Sequence, residues 1–260
     1  MATQKIEFTV KNVKEFASWI KRFSSINNSM LLEIDEANEL FSSKSYDEEH
    51  SIVKSSKIKF SEVEFELKTP GTLLIKVGIF NIPRLIKVLD HFSNSEFSFI
   101  IDYDELITKD TTELVGTNWL LKNKDLKVSE ECTPSSIFDP PSDEKFESKI
   151  ASVDTIIAEF DLNVENIDKV NSLSKLEESD AKFLDFKRNA NVYICGRSFE
   201  LLVKDLDHEW DGKEEMISTF KDQFDCVDVE NYKVTIGNDR LVLRSQDSET
   251  VTVLSEVVKD

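Results

Sequence analysis

Glycine is the first thing this chain is short of. Its 260 residues include only 6, nowhere clustered into a loop that could cradle a phosphate. Cysteine is as sparse: Cys132, Cys195 and Cys226 form an odd set without CxxC spacing, which argues against a disulfide framework and a zinc site. The histidines, His50, His91 and His208, are scattered without metal-ligand spacing, and no Ser or Cys sits in a nucleophile motif. The sequence therefore predicts no enzyme, no cofactor and no metal. No apolar run approaches the ~20 residues of a spanning helix. The opening MATQKIEFTVKNVKEF lacks the basic-then-apolar order of a secretion signal. A soluble intracellular protein, cytoplasmic and without membrane contact, is expected. Positive charge is scarce too, with 32 Lys and Arg against 51 Asp and Glu and a net charge of −19. Taken alone, that balance argues against nucleic acid and anionic membranes, and its plain reading is solubility.

What is present is material for a core: 40% hydrophobic residues, with Phe alone contributing 18, enough for one large domain or two of ordinary size. The most informative stretch runs from Asn81 to Asp102. Ile82, Leu85, Ile86, Leu89 and Phe92 recur at helical spacing. Asn81 is placed to cap that helix, and Pro83 sits in its first turn, where a missing N–H costs nothing. At about 100° per residue, Arg84, Lys87 and His91 gather on the opposite side. Beyond Asn94 the period becomes two, with Phe97, Phe99 and Ile101 alternating with Ser98, Ile100 and Asp102. Lys11 to Ser25 divides its faces in the same way. Val13, Phe16, Ala17 and Ile20 share one side; Lys11, Lys14, Lys21 and Arg22, with Ser18 and Ser25, share the other.

A first strand precedes that helix, with Ile6, Phe8 and Val10 alternating. Short alternating segments follow it (MLLEID, ELFSSKS, SIVKSSKIKF, VEFELK), the pattern of an antiparallel meander. Pro70-Gly71 marks a turn before TLLIKVGIF. EFSFIID, TNWLLK and DLKVSE follow the second helix as strands. Glu130 to Lys149 holds Pro134, Pro140 and Pro141 among Ser and Asp and reads as an extended connector, carrying the apolar pair Ile137-Phe138. Then the pattern restarts. SVDTIIAEFDL is a strand, Asn163 opens a helix through Val164, Ile167, Val170 and Leu173, and a hairpin turns at Asn189-Ala190-Asn191. Lys213 to Phe224 is predicted as a fourth helix with Met216, Ile217, Phe220 and Phe224 inward. Three strands end the chain, the first pair joined across Gly237-Asn238-Asp239. The fold class is α+β, a pseudo-duplication of one unit: an N-terminal domain over 1–132, a connector over 133–149 and a C-terminal domain over 150–260.

This order of elements resembles the sliding clamps of DNA replication, most closely the two-domain clamps of T4-type bacteriophages. FSSINNSMLLE (Phe23 to Glu33) is similar to that family's exit from its first helix, and VGIFNIPRLIKVLDHFSNSEFSF (Val77 to Phe99) to its second helix-to-strand passage. SSIFDPP (Ser135 to Pro141) is similar to the start of its connector, and ENYKV (Glu230 to Val234) to its final meander. The proliferating-antigen clamps of eukaryotes and archaea share the architecture. The resemblance implies a homotrimeric ring that encircles double-stranded DNA without reading sequence, tethers the replicative polymerase and is opened by a separate clamp loader. Some phage clamps also assist transcription, and the resemblance carries that role with it.

Residues follow from both lines of reading. A hole lined by helices needs basic faces, because phosphates are the sequence-independent target. Lys11, Lys14, Lys21 and Arg22 supply them on the first helix, and Arg84, Lys87 and His91 on the second. Lys169 and Lys175 on the third are interrupted by Glu165 and Asp168. The fourth presents Glu215, Ser218, Asp222 and Asp225 and is not expected to touch DNA. Solvated charge is the plain alternative for each lysine. The family closes its ring by pairing edge strands, which here match Asp125 to Glu130 and Phe199 to Leu206, with Leu126, Val128, Leu201 and Val203 at the subunit interface. Its partners dock near the connector and last strand, where Ile137, Phe138, Val253 and Leu254 are the matching candidates; ordinary core packing is the alternative. A rival function is an acidic DNA mimic that binds DNA-handling proteins, but such a protein has no reason to keep basic helix faces.

Overall fold

A computed structural model describes residues 4–49, 51–67, 73–107, 112–177, 181–205 and 214–257. The chain divides into two units, and the division does not follow the sequence order strictly. Unit 1 comprises Met1–Ser45 and Ser55–Pro140; unit 2 comprises Tyr46–Lys54 and Pro141–Asp260. The sequence places a connector over 133–149, whereas the chain passes from one unit to the other between 140 and 141 and gives unit 2 a short loan from the first half. The Pro70-Gly71 turn, His50, His208, Leu206 and Lys213 lie outside the described residues.

Unit 1 is built from β1 (Gln4–Val10), α1 (Val13–Lys21), β2 (Met30–Asp35), β3 (Leu40–Tyr46), β4 (Ile52–Lys59), β5 (Phe65–Leu67), β6 (Leu74–Ile79), α2 (Ile82–Phe92), β7 (Phe97–Ile107), β8 (Thr112–Lys122) and β9 (Lys127–Glu131). Its strands run in the order β4-β3-β2-β6-β8-β7-β1-β5, and β9 pairs β8. The join between β6 and β8 is parallel and confined to Ile75 and Lys76 opposite Leu114 and Val115. The other pairs described are antiparallel, as the short alternating segments predict. Beyond the parallel join, Asn118 to Lys122 of β8 carries β9, whose far edge is unpaired among the described residues.

The two helices of unit 1 pack beside each other, and their apolar stripes are the predicted ones with Trp19 added. Asparagine starts both: Asn12 accepts from the Glu15 amide at 3.3 Å and Asn81 from the Arg84 amide at 2.9 Å. The core beneath them explains the abundance of Phe. Phe60 and Phe65 lie 4.3 Å apart between centroids, Phe65 meets Phe41 edge-on at 4.7 Å, and Phe41 meets Phe16 at 5.3 Å. The polar end of Trp19 is satisfied by donation to Ser56 Oγ at 3.0 Å.

Unit 2 continues with α3 (Asp143–Lys145), β10 (Ile156–Leu162), α4 (Val164–Ser174), β11 (Phe183–Arg188), β12 (Asn191–Cys195), β13 (Glu200–Asp205), β14 (Glu215–Phe220), α5 (Lys221–Phe224), β15 (Tyr232–Gly237), β16 (Arg240–Ser245) and β17 (Glu249–Ser255). Four strands form one sheet in the order β13-β12-β11-β14, and β10-β15-β16-β17 run together. The start of β4 lies beside β17, where the Ser255 amide donates to Ser51 O at 2.8 Å. Asn163 caps α4 through the Asn166 amide at 2.8 Å.

Two expectations are corrected here. The predicted helix from Lys213 to Phe224 is a strand followed by one helical turn. Residues 215–220 pair with β11 from Arg188 to Phe183, which satisfies that strand's backbone and overrides the helical spacing of the apolar residues. Met216 is consequently exposed, while Ile217 and Phe224 are buried. The connector is not extended throughout. It makes a 3-10 turn at Ser135–Ile137, and Ser142 then caps a helical segment running through Ile150. Phe146 anchors that segment, buried with Val53, Ala151, Val242 and Val253. Arg240 donates to the carbonyls of Lys149 and Ile150 at 2.7 and 3.0 Å, and Arg244 to that of Ala151 at 3.1 Å.

Candidate nucleic-acid interface

With Val13, Phe16, Trp19 and Ile20 buried, α1 turns Lys14, Ser18 and Lys21 to solvent, and Arg22, half-buried, follows as its C-cap. The parallel division on α2 buries Ile82, Leu85, Leu89 and Phe92 and exposes Arg84, Lys87 and His91. Because the two helices are neighbours, their exposed faces form one cationic surface on unit 1. Glu15 and Asp90 are the exposed carboxylates on the helices themselves.

The cations differ in how committed they are. Lys14, Lys21 and Lys87 make no ion pair among the described residues. Lys11 sits before the helix and pairs with Glu66 of β5, an interaction that holds its ammonium pKa above the usual lysine range. Arg84 Nε lies 2.7 Å from Glu130 Oε1 on β9. Neither carboxylate partner is visible in the sequence pattern, because both are distant along the chain and reach the helices only through the fold.

Unit 2 offers a weaker face. Lys169 Nζ is 2.6 Å from Glu165 one turn earlier on α4, which lowers the Glu165 pKa through that hydrogen bond. Lys175 caps the helix and is exposed. Asp222 and Asp225 are exposed on and just after α5, and burial raises the Asp225 pKa, with Asp222 adding to the rise.

Of the expected subunit-interface residues, Leu126 and Val128 are partly buried against the unit 1 core. Strand β9, which begins just after Leu126 and includes Val128, turns Lys127, Ser129 and Glu131 outward. Leu201 and Val203 are half-buried, and the exposed apolar side chain of β13 is Leu202, at 47%. Among the described residues both strands lie at sheet edges.

The docking candidates separate sharply. Ile137 is 67% exposed. Phe138 is half-buried, its ring close against the backbone of Gly78 on β6. Val253 and Leu254 are core residues and present no surface: β17 is packed on one side by the Phe146 cluster, and both side chains are buried. Phe80, two residues beyond Gly78, is 71% exposed, and nothing in the sequence pattern singles it out. Among the described residues no group of His, Cys, Asp and Glu is arranged to hold a metal, and no helix is long and apolar enough to cross a membrane.

Two α+β units, each with largely antiparallel strands packed under short helices, make up the DNA sliding-clamp fold, and this chain has it. No protein-family model and no curated protein matches the sequence, so the likeness lies in three dimensions. The chain superposes on the proliferating cell nuclear antigen (PCNA) of A. fulgidus, solved with the C-terminal region of FEN-1, at a TM-score of 0.64 and 10% identity, covering 98% of this chain and 99% of that one. PCNA from Entamoeba histolytica gives 0.63 at 15% identity, covering 98% and 99%. The Helicobacter pylori beta clamp bound to a DNA ligase peptide gives 0.66 at 11% identity, with 100% of this chain and 67% of that one covered. In another structure of that beta clamp, the chain spans 64% of its length.

Proposed function

We propose that this protein is a sliding clamp: a homotrimeric ring that encircles duplex DNA and tethers a replicative polymerase. The observation that carries the reading is the joint cationic face of α1 and α2, kept in a chain of net charge −19 and set on the clamp fold. Phosphate binding by lysine is sequence-independent and weak per ion pair, which suits a ring that must slide. The Debye length is ~10 Å at 0.1 M salt, so carboxylates elsewhere on the surface are largely screened from DNA at that face.

Two edge strands support ring closure. β9 is the last strand of unit 1, and β13 is an outer strand in unit 2. The counterpart of β9 in unit 2 is β17, which already takes the start of β4 beside it. Pairing β9 of one protomer with β13 of the next would repeat that arrangement and cover both open edges. Ile137, with Phe80 nearby in sequence to the strand that Phe138 covers, is the apolar surface on which polymerase or loader peptides would dock. The clamp reading assigns no catalytic step. The acidic-mimic alternative leaves the cationic face of unit 1 without purpose.

Light scattering at micromolar concentration tests the assembly. A trimer of roughly 90 kDa, three times 29.9 kDa, and an annulus by negative-stain imaging are expected. A monomer at that concentration overturns the ring.

A further inference from the structure

We infer that grip on the duplex belongs to unit 1 alone, so that each protomer holds DNA through α1 and α2 while its second unit faces the duplex without net attraction. This rests on the clamp reading above. The duplicated architecture makes α4 the counterpart of α1, since each follows its unit's first strand. The counterpart of α2 is α5, since each follows the strand before its unit's last meander. If the units served equally, both pairs would carry the same charge.

They do not, for three structural reasons. First, α2 spans eleven residues from Ile82 to Phe92, whereas α5 is cut to four because the residues before it are drawn into the sheet as β14. The surface that displays Arg84 and Lys87 in unit 1 has no equivalent of that length in unit 2. Second, two of the three lysines at α4 and α5 are already engaged. Lys169 is held by Glu165, and Lys221 donates to the Ser174 carbonyl at 3.3 Å. Lys175 and Lys221 both lie close enough to Asp225 to counter the rise of its pKa. Third, Glu165, Asp168, Asp222 and Asp225 are all exposed and outnumber those lysines. In unit 1 the balance is reversed, and Lys14, Lys21 and Lys87 stand unpaired among the described residues.

A ring built this way touches DNA at alternate units around its circumference. The remaining units contribute span and topological closure, and their near-neutral face keeps the total number of neutralised phosphates low. Fewer neutralised phosphates mean a shallower dependence of affinity on salt.

The experiment measures binding of the full-length chain to a random-sequence duplex of 40 base pairs by fluorescence anisotropy across a salt series. Lys14→Gln with Lys87→Gln should weaken binding by an order of magnitude or more at low salt and flatten the log–log salt slope by about one for each phosphate no longer neutralised. Lys169→Gln with Lys175→Gln should leave affinity within about twofold and the slope unchanged. Equal weakening by both double substitutions overturns the inference while leaving the clamp reading intact. A wild-type chain with no salt-dependent affinity for the duplex overturns the clamp reading and the inference together. The measured mass of each variant confirms that assembly is unchanged.

Discussion

Arg84 on the solvent face of α2 pairs with Glu130 on the edge strand β9, Nε to Oε1 at 2.7 Å. One guanidinium thus links the cationic face of unit 1 to the strand proposed to close the ring. The Arg84 side chain is 61% exposed, that of Glu130 only 19%, so the arginine remains open to solvent while its carboxylate is held against the fold. An exposed pair of this kind contributes little to stability, on the order of 1 kcal/mol or less. Its effect falls on charge. Glu130→Gln should release Arg84, tighten duplex binding severalfold at low salt and steepen the salt slope by up to about one, with little change in melting temperature. Anisotropy across a salt series checks this; an unchanged slope would show that Arg84 stays out of reach of phosphate.

Lys54 presents the opposite case. Its side chain has no exposed surface, and Nζ donates to the Cys226 carbonyl at 2.6 Å and meets Asp228 Oδ2 at 3.0 Å. Asp228→Asn keeps the buried ammonium but removes its carboxylate, whereas Lys54→Met leaves Asp228, whose side chain is 23% exposed, within reach of water. Asp228→Asn should therefore destabilise by about 3 kcal/mol, and Lys54→Met by clearly less. Urea midpoints rank the two, and the reverse order would show that the ammonium is better hydrated than its burial indicates.

Gly78 lets the connector begin where it does. A Cβ there would sit 2.0 Å from the Thr133 carbonyl oxygen, and the Thr133 amide donates to Gly78 O at 3.0 Å. Gly78→Ala should cost ~1–3 kcal/mol through overpacking and speed hydrogen exchange at Thr133. Normal protection of that amide in the variant would rule out the close approach.

Burial pushes the thiols of Cys132 and Cys195 up to about 12. At pH 8 roughly one thiol in ten thousand is then ionised, so iodoacetamide should leave both intact in the native protein and label them once urea is added. Intact-mass spectrometry reads the result. Rapid labelling of Cys132 at pH 8 would mean that its surroundings open on the timescale of the reaction.

The parts legible in the sequence are those set by local pattern. Asn12, Asn81 and Asn163 start helices because a short side-chain acceptor there satisfies an amide of the first turn, and such signals need no knowledge of the rest of the fold. The stripe from Ile82 to Phe92 and its cationic reverse are readable for the same reason. What the sequence hides depends on distant segments. Residues 215–220 carry apolar side chains at helical intervals, but β11 offers an unsatisfied edge, and backbone pairing decides the matter. Glu66 and Glu130 join Lys11 and Arg84 only after the sheet has brought them together. Val253 and Leu254 lie on an alternating strand covered from both sides, and the cover on one of them is Phe146, in a segment whose prolines and serines suggest no anchor.

Tyr46 to Lys54 belongs to the C-terminal unit although it is encoded a hundred residues upstream of that unit's first strand, roughly, in a chain whose compact parts otherwise follow gene order. Cutting the gene at the linker would therefore not yield two autonomous halves. The downstream fragment would lose Val53 from beneath Phe146, a backbone neighbour for Ser255 and the ammonium that answers Asp228. Supplying a peptide of the missing segment in trans should restore its fold, as a borrowed tab completes a torn page.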